Sequence, residues 1–406
     1  MRILILGAGY AGLRAALELG ALQRGGQLPP DVRVDLVERA PCHQVVVWMH
    51  QVAAGTLSPD QACIDYADLP LETVHLHQAG VEAIDLRARR VDTDSGGFSY
   101  DVLVVALGSV TTAPAIPGLS ENAQTLRDAA GAEGLHAALE SAYARAAPLA
   151  DPDRRKRLLT AVVAGGGYTG CQLAGELAHR LPELADRNGA PLRDVRLVLA
   201  ESRDRLLPDM DPCHGRAARR ILARKGVEIH LGTPLEGVTE DTVRLGGTGI
   251  PYGVLAWAGG IRGPGLLANT GASVNAQGRM RVDPYLCSPD HPDVLAAGDC
   301  AVRMDAGGTE TSTPATAMEA IHQGRYLAGL IRDWTYGRAP VSAYTPARLG
   351  LLVALGDADA VGTAGPLPVQ GRAAGLIKNA AERTYPDTLL RPHAAPFLDP
   401  DFLRPV

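Results

Sequence analysis

Ile3 to Leu6 form a short apolar run that stops at Gly7, and Leu13 to Leu19 then fall into helical spacing. A brief apolar run before a turn reads as a buried strand, and a period near 3.6 reads as a helix. The same order returns at Leu158 to Ala164, followed by glycines and a second helical stretch. Each copy has a further strand ending in an acid, Val32 to Glu38 and Val195 to Glu201. Other apolar runs, at Tyr100 to Ser109, Val227 to Leu231, Val254 to Ala258 and Val294 to Asp299, predict more buried strands. Helical spacing covers roughly 128 to 147 and Thr316 to Leu330. Val74 to His77, Val81 to Leu86 and Arg90 to Thr93 read as an antiparallel meander.

This alternation predicts an α/β fold with two Rossmann-like dinucleotide-binding domains. The first spans 1–115 and 280–340 and is interrupted by the second at 116–279; a small C-terminal α+β region covers 341–406. There the pattern predicts strands near Leu351 to Ala354 and a helix near Ala373 to Ala381. Prolines 386, 392, 396, 400 and 405 argue against a long helix from Tyr385 onward.

The glycines carry the candidate chemistry. Gly7-Ala8-Gly9-Tyr10-Ala11-Gly12 and Gly165-Gly166-Gly167-Tyr168-Thr169-Gly170 are both G-x-G-x-x-G turns between a strand and a helix. In that context the first glycine makes a tight turn, the second lets backbone approach a pyrophosphate, and the third lets the helix pack closely. The helix N-terminus then offers N–H groups to the anion. Glu38 and Glu201 stand where a carboxylate accepts hydrogen bonds from an adenosine ribose. Asp299, after Gly298 at a strand end, suits a ribityl hydroxyl or a pyrophosphate site. A chain with two such seats usually holds a flavin dinucleotide in one and a nicotinamide dinucleotide in the other. A relay of electrons follows.

A formal charge of −6 and a pI near 6.0 give no basic field for nucleic acid. Arg154 to Arg157 reads as a solvated linker. Six cysteines, at 42, 63, 171, 213, 287 and 300, form no C-x-x-C pair and read as reduced thiols rather than a zinc site or a disulfide framework. His75 and His77 share a strand face without a third ligand near them, so no metal is expected. The N-terminal apolar run leads straight into the glycine turn, unlike a signal peptide, and no apolar run reaches the length of a membrane span. The expected location is cytoplasmic, or peripheral on the inner face of the cell membrane. Nothing in the sequence excludes a homodimer.

Longer motifs are more specific. Trp48 to Leu57, Gly165 to Leu177 and Thr316 to Leu327 make the chain, from residue 1 to about 385, resemble the type II NADH dehydrogenases, or NADH:quinone oxidoreductases. The resemblance implies FAD held by Gly7, Gly9, Tyr10, Ala11, Gly12, Glu38, Arg39, Ala106, Gly108, Gly298, Asp299 and Ala317. It implies NADH on Gly165, Gly167, Tyr168, Thr169, Gly170, Glu201 and Gly259, and a quinone-like small-molecule acceptor. Two departures bear on catalysis. The family's A-Q-x-A-x-Q helix has Met318 and His322 in place of its glutamines, which changes the polarity of the acceptor side. Gln172 replaces a usual glutamate and cannot shuttle a proton, whereas Glu176, one turn on, matches the family. The Pro-rich tail also departs from the family's membrane-docking segment, leaving a weak or absent contact through Phe397, Leu398, Phe402 and Leu403. Sulfide:quinone oxidoreduction and a slow-turnover, NADH-responsive binding role are the alternatives.

Overall fold

Two parallel sheets of the same design carry the fold. The computed structural model describes residues 1–390 apart from 306, 312–314, 340, 341, 347–349 and 357. In the first sheet Arg2–Leu6 lies at the centre, with Val102–Val105 and then Val294–Ala296 on one side. Arg33–Glu38 and then Val74–Gln78 lie on the other. In the second, Thr160–Ala164 holds the central place, flanked by Val254–Trp257 and Ala123–Gln124 on one side. Arg196–Glu201 and Glu228–Leu231 complete it. Both central strands are buried along almost their whole length, which is why they read as continuous apolar runs.

Helices cover these sheets. They are α1 (Tyr10–Arg24), α2 (Met49–Ala54), α3 (Leu119–Asn122), α4 (Ala129–Ala146), α5 (Pro152–Leu158), α6 (Tyr168–Asn188), α7 (Pro212–Arg224), α8 (Ala317–Thr335) and α9 (Arg372–Leu390). Helix α8 crosses α1 so closely that a Cβ on Gly324 would sit 2.2 Å from the Ala11 carbonyl oxygen. Helix α2, from the first half of the chain, packs on α4 and α6 of the second and joins the two layers.

Four expectations need correction. Val74–Gln78 is not part of a meander; it pairs in parallel with Arg33–Glu38 at the sheet edge, and the antiparallel ribbon is Val81–Asp85, Arg90–Thr93 and Gly96–Ser99. Alternating apolar and polar residues suit either an edge or a meander strand, so the pattern did not decide its partner. The basic run at 154–157 lies in α5, whose start is capped by the Asp151 carboxylate accepting from the N–H groups of Asp153 and Arg154. Helix α9 runs past its expected end near Ala381 and through Pro386 to Leu390, because proline removes only one helical hydrogen bond and the last turns are packed on α1. Cys42 and Cys63 are joined in a disulfide across the Cys42–Gln44 and Cys63–Asp65 strands. The remaining tail prolines and the four apolar residues singled out near the C-terminus lie outside the described residues.

The edge of the first sheet hides a charge cluster. Asp35 is fully buried and accepts from the guanidinium groups of Arg2 and Arg33 and from His77 Nε2 at 2.7 Å. Burial alone would raise this carboxyl, but the hydrogen bonds from Arg33, His77 and Arg2 outweigh it and hold the pKa at about 2. A carboxyl held below its unfolded value near 3.8 adds stability at neutral pH that is lost as pH falls toward 2. Urea midpoints are therefore expected to decline below about pH 5, and Asp35→Asn should flatten that decline. An unchanged acid limb in Asp35→Asn would refute the assignment.

Candidate active site

The two glycine turns are built on the same set of contacts. Gly7 and Gly165 have φ of +94° and +120°, where an L side chain is strained, and each donates its N–H to the neighbouring strand at 2.8 Å, on Val37 and Ala200. A Cβ on Gly12 would lie 1.9 Å from the Gly7 carbonyl oxygen, and one on Gly170 only 1.7 Å from that of Gly165. By contrast, a Cβ on Gly9 or Gly167 would meet no protein atom within 4 Å. Each second glycine therefore faces an open cradle, at the start of α1 or α6 where helical N–H groups point outward.

The acids complete the likeness. Glu38 accepts from Ala8 N at 2.7 Å and from Ala40 N at 2.9 Å. Glu201 accepts from Gly166 N at 2.6 Å and from Arg203 N at 2.8 Å. Each carboxylate is thus fixed against its own glycine turn. Beside Glu38 opens a cavity of about 470 Å³ lined by Pro41, Asp65, Tyr66, Leu69 and Leu76 among others, with room for a nucleoside. Arg39 is exposed nearby. At the second seat the two arginines after Glu201 are turned elsewhere, Arg203 to Asp209 and Arg205 to the Pro208 carbonyl.

Around the first turn the later segments converge. Ala106 lies against Gly7 and Gly12, and Gly108 at φ +67° lies near Arg127. Asp299 accepts from Ser109 Oγ at 2.8 Å and pairs with Arg127 at 3.3 Å. Gly298, at φ +74°, donates its N–H to Gln323 Oε1 at 2.6 Å, and Gln323 Nε2 donates to Glu319. Tyr344 donates to the same Glu319 oxygen at 2.8 Å. Burial raises the Glu319 carboxyl, against the pull of those two hydrogen bonds and of Arg303. Ala317 begins α8, with the Thr316 hydroxyl accepting from Glu319 N. Met318 and His322 follow one turn apart, both half-buried.

Gln172, half-buried, and Glu176, buried, stand one turn apart on α6, which packs on α2 and on the C-terminal sheet strand Gly350–Ala354. Helix α8 packs instead on α1. The catalytic candidates thus form two pairs on helices with different main partners. At the second seat Tyr168 is half-buried and Thr169 exposed on the first turn of α6. Gly259 abuts the Trp257 ring, whose Nε1 donates to the Thr112 carbonyl at 2.7 Å.

Helix α9 closes over the first turn. His43 Nδ1 donates to the Ala8 carbonyl at 2.9 Å, so a neutral ring leaves Nε2 to accept from the Tyr385 hydroxyl at 2.8 Å. Burial, partly opposed by the Ala8 contact, holds His43 neutral with a pKa of about 4. The Tyr385 ring lies 5.2 Å from that of Tyr10, and Arg14 donates to the Thr388 carbonyl and hydroxyl. Lys378 and Glu382 pair on the same helix, and burial, aided by the Lys378 charge, keeps His50 neutral. Sequence reasoning missed Ser109, Arg127, His43, Glu319 and Tyr385. Only Glu319 carried a local signal, as the acid of a T-x-x-E helix start.

Comparison with known proteins agrees with this fold. A model of the pyridine nucleotide-disulphide oxidoreductase family matches residues 1–324. The type II NADH:quinone oxidoreductase of Staphylococcus saprophyticus is 30% identical over 394 residues, spanning 94% of this chain and 94% of that protein. The Staphylococcus aureus protein of the same name is 28% identical over 386 residues, with the same coverage. Among solved structures, NDH2 from Plasmodium falciparum in complex with NADH superposes with a TM-score of 0.81 at 15% identity, covering 96% of this chain and 94% of that one. The sulfide:quinone oxidoreductase from Aquifex aeolicus gives 0.77 at 20%, covering 96% and 91%. Those two likenesses concern the fold. Among the described residues no helix is long and apolar enough to cross a membrane. With the family model covering most of its length and a relative at 30% identity spanning nearly all of it, the chain belongs to the pyridine nucleotide-disulphide oxidoreductases, among the type II NADH:quinone oxidoreductases.

Proposed function

We propose that this chain is an FAD-dependent NADH dehydrogenase that passes two electrons to a quinone or a similar acceptor. The observation that carries the reading is the pair of glycine turns, each with an open cradle and an acid clamped behind it. The first seat, within 1–115 and 280–340, takes FAD, with Gly9 and the start of α1 against the pyrophosphate and Glu38 at the ribose. Asp299, fixed by Ser109 and Arg127, would serve the ribityl chain. The second, within 116–279, takes NADH. Glu201 at the ribose would repel a 2′-phosphate, and Arg203 and Arg205 are engaged elsewhere, which favours NADH over NADPH.

FAD, when bound, supplies the chemistry: it accepts a hydride from the nicotinamide and returns two electrons to the acceptor. The protein's part is placement. Helices α1 and α6 present their N-termini to the two pyrophosphates, and α9 shields the first turn from water. Gln172 can hydrogen-bond but not carry a proton, so Glu176 is the proton-handling group on α6. Met318 and His322 form the acceptor face of α8, less able to hydrogen-bond a quinone than two amides. A lipid-soluble acceptor places the protein peripherally on the cytoplasmic face of a membrane, and a homodimer is compatible with this placement.

Sulfide oxidation is the weaker reading. It needs reactive cysteines at the flavin, whereas Cys171 and Cys300 are fully buried, and burial raises both thiols, Cys300 to about 11. Purified protein is expected to be yellow, with about one FAD released per chain, from the first seat alone. It should bleach anaerobically with NADH and recolour on a menaquinone or ubiquinone analogue. A flavin-free protein, even after incubation with FAD, refutes the reading; bleaching without reoxidation by any quinone leaves the binding role instead.

A further inference from the structure

We propose that the Cys42–Cys63 disulfide is a thiol–disulfide exchange site for a dithiol reductant, and that its redox state sets how firmly the first nucleotide seat is closed. The second half of this statement rests on FAD occupying that seat.

The disulfide joins two short strands, Cys42–Gln44 and Cys63–Asp65, with a Cα separation of 5.8 Å. Their ladder has only three residue pairs, and a two-stranded ribbon of that size is marginal without help. The crosslink therefore decides whether the ribbon persists. What hangs from the ribbon is unusual. On one strand, His43 bridges the Ala8 carbonyl in the first glycine turn and the Tyr385 hydroxyl on α9. Gln44 on that strand accepts from Ala129 N at the start of α4. At the end of the other strand, Asp65 and the following Tyr66 help to wall the cavity beside Glu38, and Pro41 lines it next to Cys42. Two covalently tied residues thus control a wall of the adenosine cavity, the latch on α9 and a contact to the second domain.

The two sulfurs differ in access. Cys42 is buried and Cys63 half-buried, so an incoming thiolate meets Cys63. It bonds to the Cys63 sulfur while the S–S bond breaks and Cys42 leaves as a thiolate, which takes a proton. The second thiol of the reductant then resolves the mixed disulfide. Overall the protein disulfide gains two electrons and two protons, and the dithiol becomes a disulfide. The other four cysteines, 171, 213, 287 and 300, are free and take no part.

The test counts thiols and follows flavin. Holoprotein unfolded in iodoacetamide without reductant should gain four carbamidomethyl groups, since six cysteines include one disulfide. After native treatment with dithiothreitol and quenching it should gain six, the two extra on Cys42 and Cys63. Six without reductant, or four after it, overturns the exchange site. On warming, reduced wild type should release FAD on the order of tenfold faster than oxidised wild type, the span of about 1.4 kcal/mol. Cys63→Ser should release it fast with or without dithiothreitol. Equal release from oxidised and reduced wild type overturns the coupling even if the variant fails to fold. If the purified protein binds no flavin, the FAD reading fails while the thiol count still decides the exchange site.

Discussion

Gly170→Ala is expected to give a yellow protein that NADH reduces roughly 5- to 150-fold more slowly than wild type. The added Cβ would lie 1.7 Å from the Gly165 carbonyl oxygen, which is backbone and cannot turn aside. Helix α6 must then lift from the Thr160–Ala164 strand, and its N-terminus moves away from the pyrophosphate. Overpacking of this kind costs roughly 1–3 kcal/mol, and each 1.36 kcal/mol is a factor of ten in rate. The first seat is untouched, so FAD content should stay near that of wild type. Stopped-flow bleaching of the flavin under nitrogen measures the effect, and dithionite, which needs no nucleotide seat, should still reduce the protein at the wild-type rate. A wild-type response to NADH would mean that the second turn does not seat the nicotinamide nucleotide.

Much of this architecture was legible because its signals are local. Gly7 to Gly12 and Gly165 to Gly170 each declare a turn whose backbone only glycine adopts, and the acids at Glu38 and Glu201 end the very next strands. The helices at 129–146 and 317–335 also followed from spacing alone. What stayed hidden depends on partners far away in the chain. His43 and Tyr385 are 342 residues apart, and no pattern within either segment announces their hydrogen bond. The same holds for Arg14 and Thr388, which dock α9 on α1. Cys42 and Cys63 lie 21 residues apart, a spacing that matches no metal or redox motif, so only the pairing of their strands brings the sulfurs together. The alternation of Val74–Gln78 shows a strand but not its neighbour, since it fixes a face and not a partner.

Gly324→Ala is expected to lower the melting temperature by several degrees and to strip most of the flavin from the protein, although residue 324 lies in no nucleotide motif. Gly324 stands where α8 crosses α1, and a Cβ there would sit 2.2 Å from the Ala11 carbonyl oxygen and 3.0 Å from the Arg14 Cβ. Ala11 belongs to the first glycine turn, so the helices cannot separate without moving the cradle. The displacement also reaches Gln323, which holds the Gly298 N–H, and through it Asp299. A clash of one methyl against backbone costs on the order of 1–3 kcal/mol, enough to separate this variant from a surface change. Gly20→Ala on α1 is the control. Its Cβ would approach only side-chain atoms, at 3.3 Å from Thr73 and Val74, and alanine favours the helix by up to about 1 kcal/mol. Its melting temperature should therefore change little. Calorimetry and the ratio of flavin to protein absorbance read both variants. If Gly324→Ala kept its flavin and its melting temperature, the tight crossing of α8 on α1 would have no part in holding the first seat.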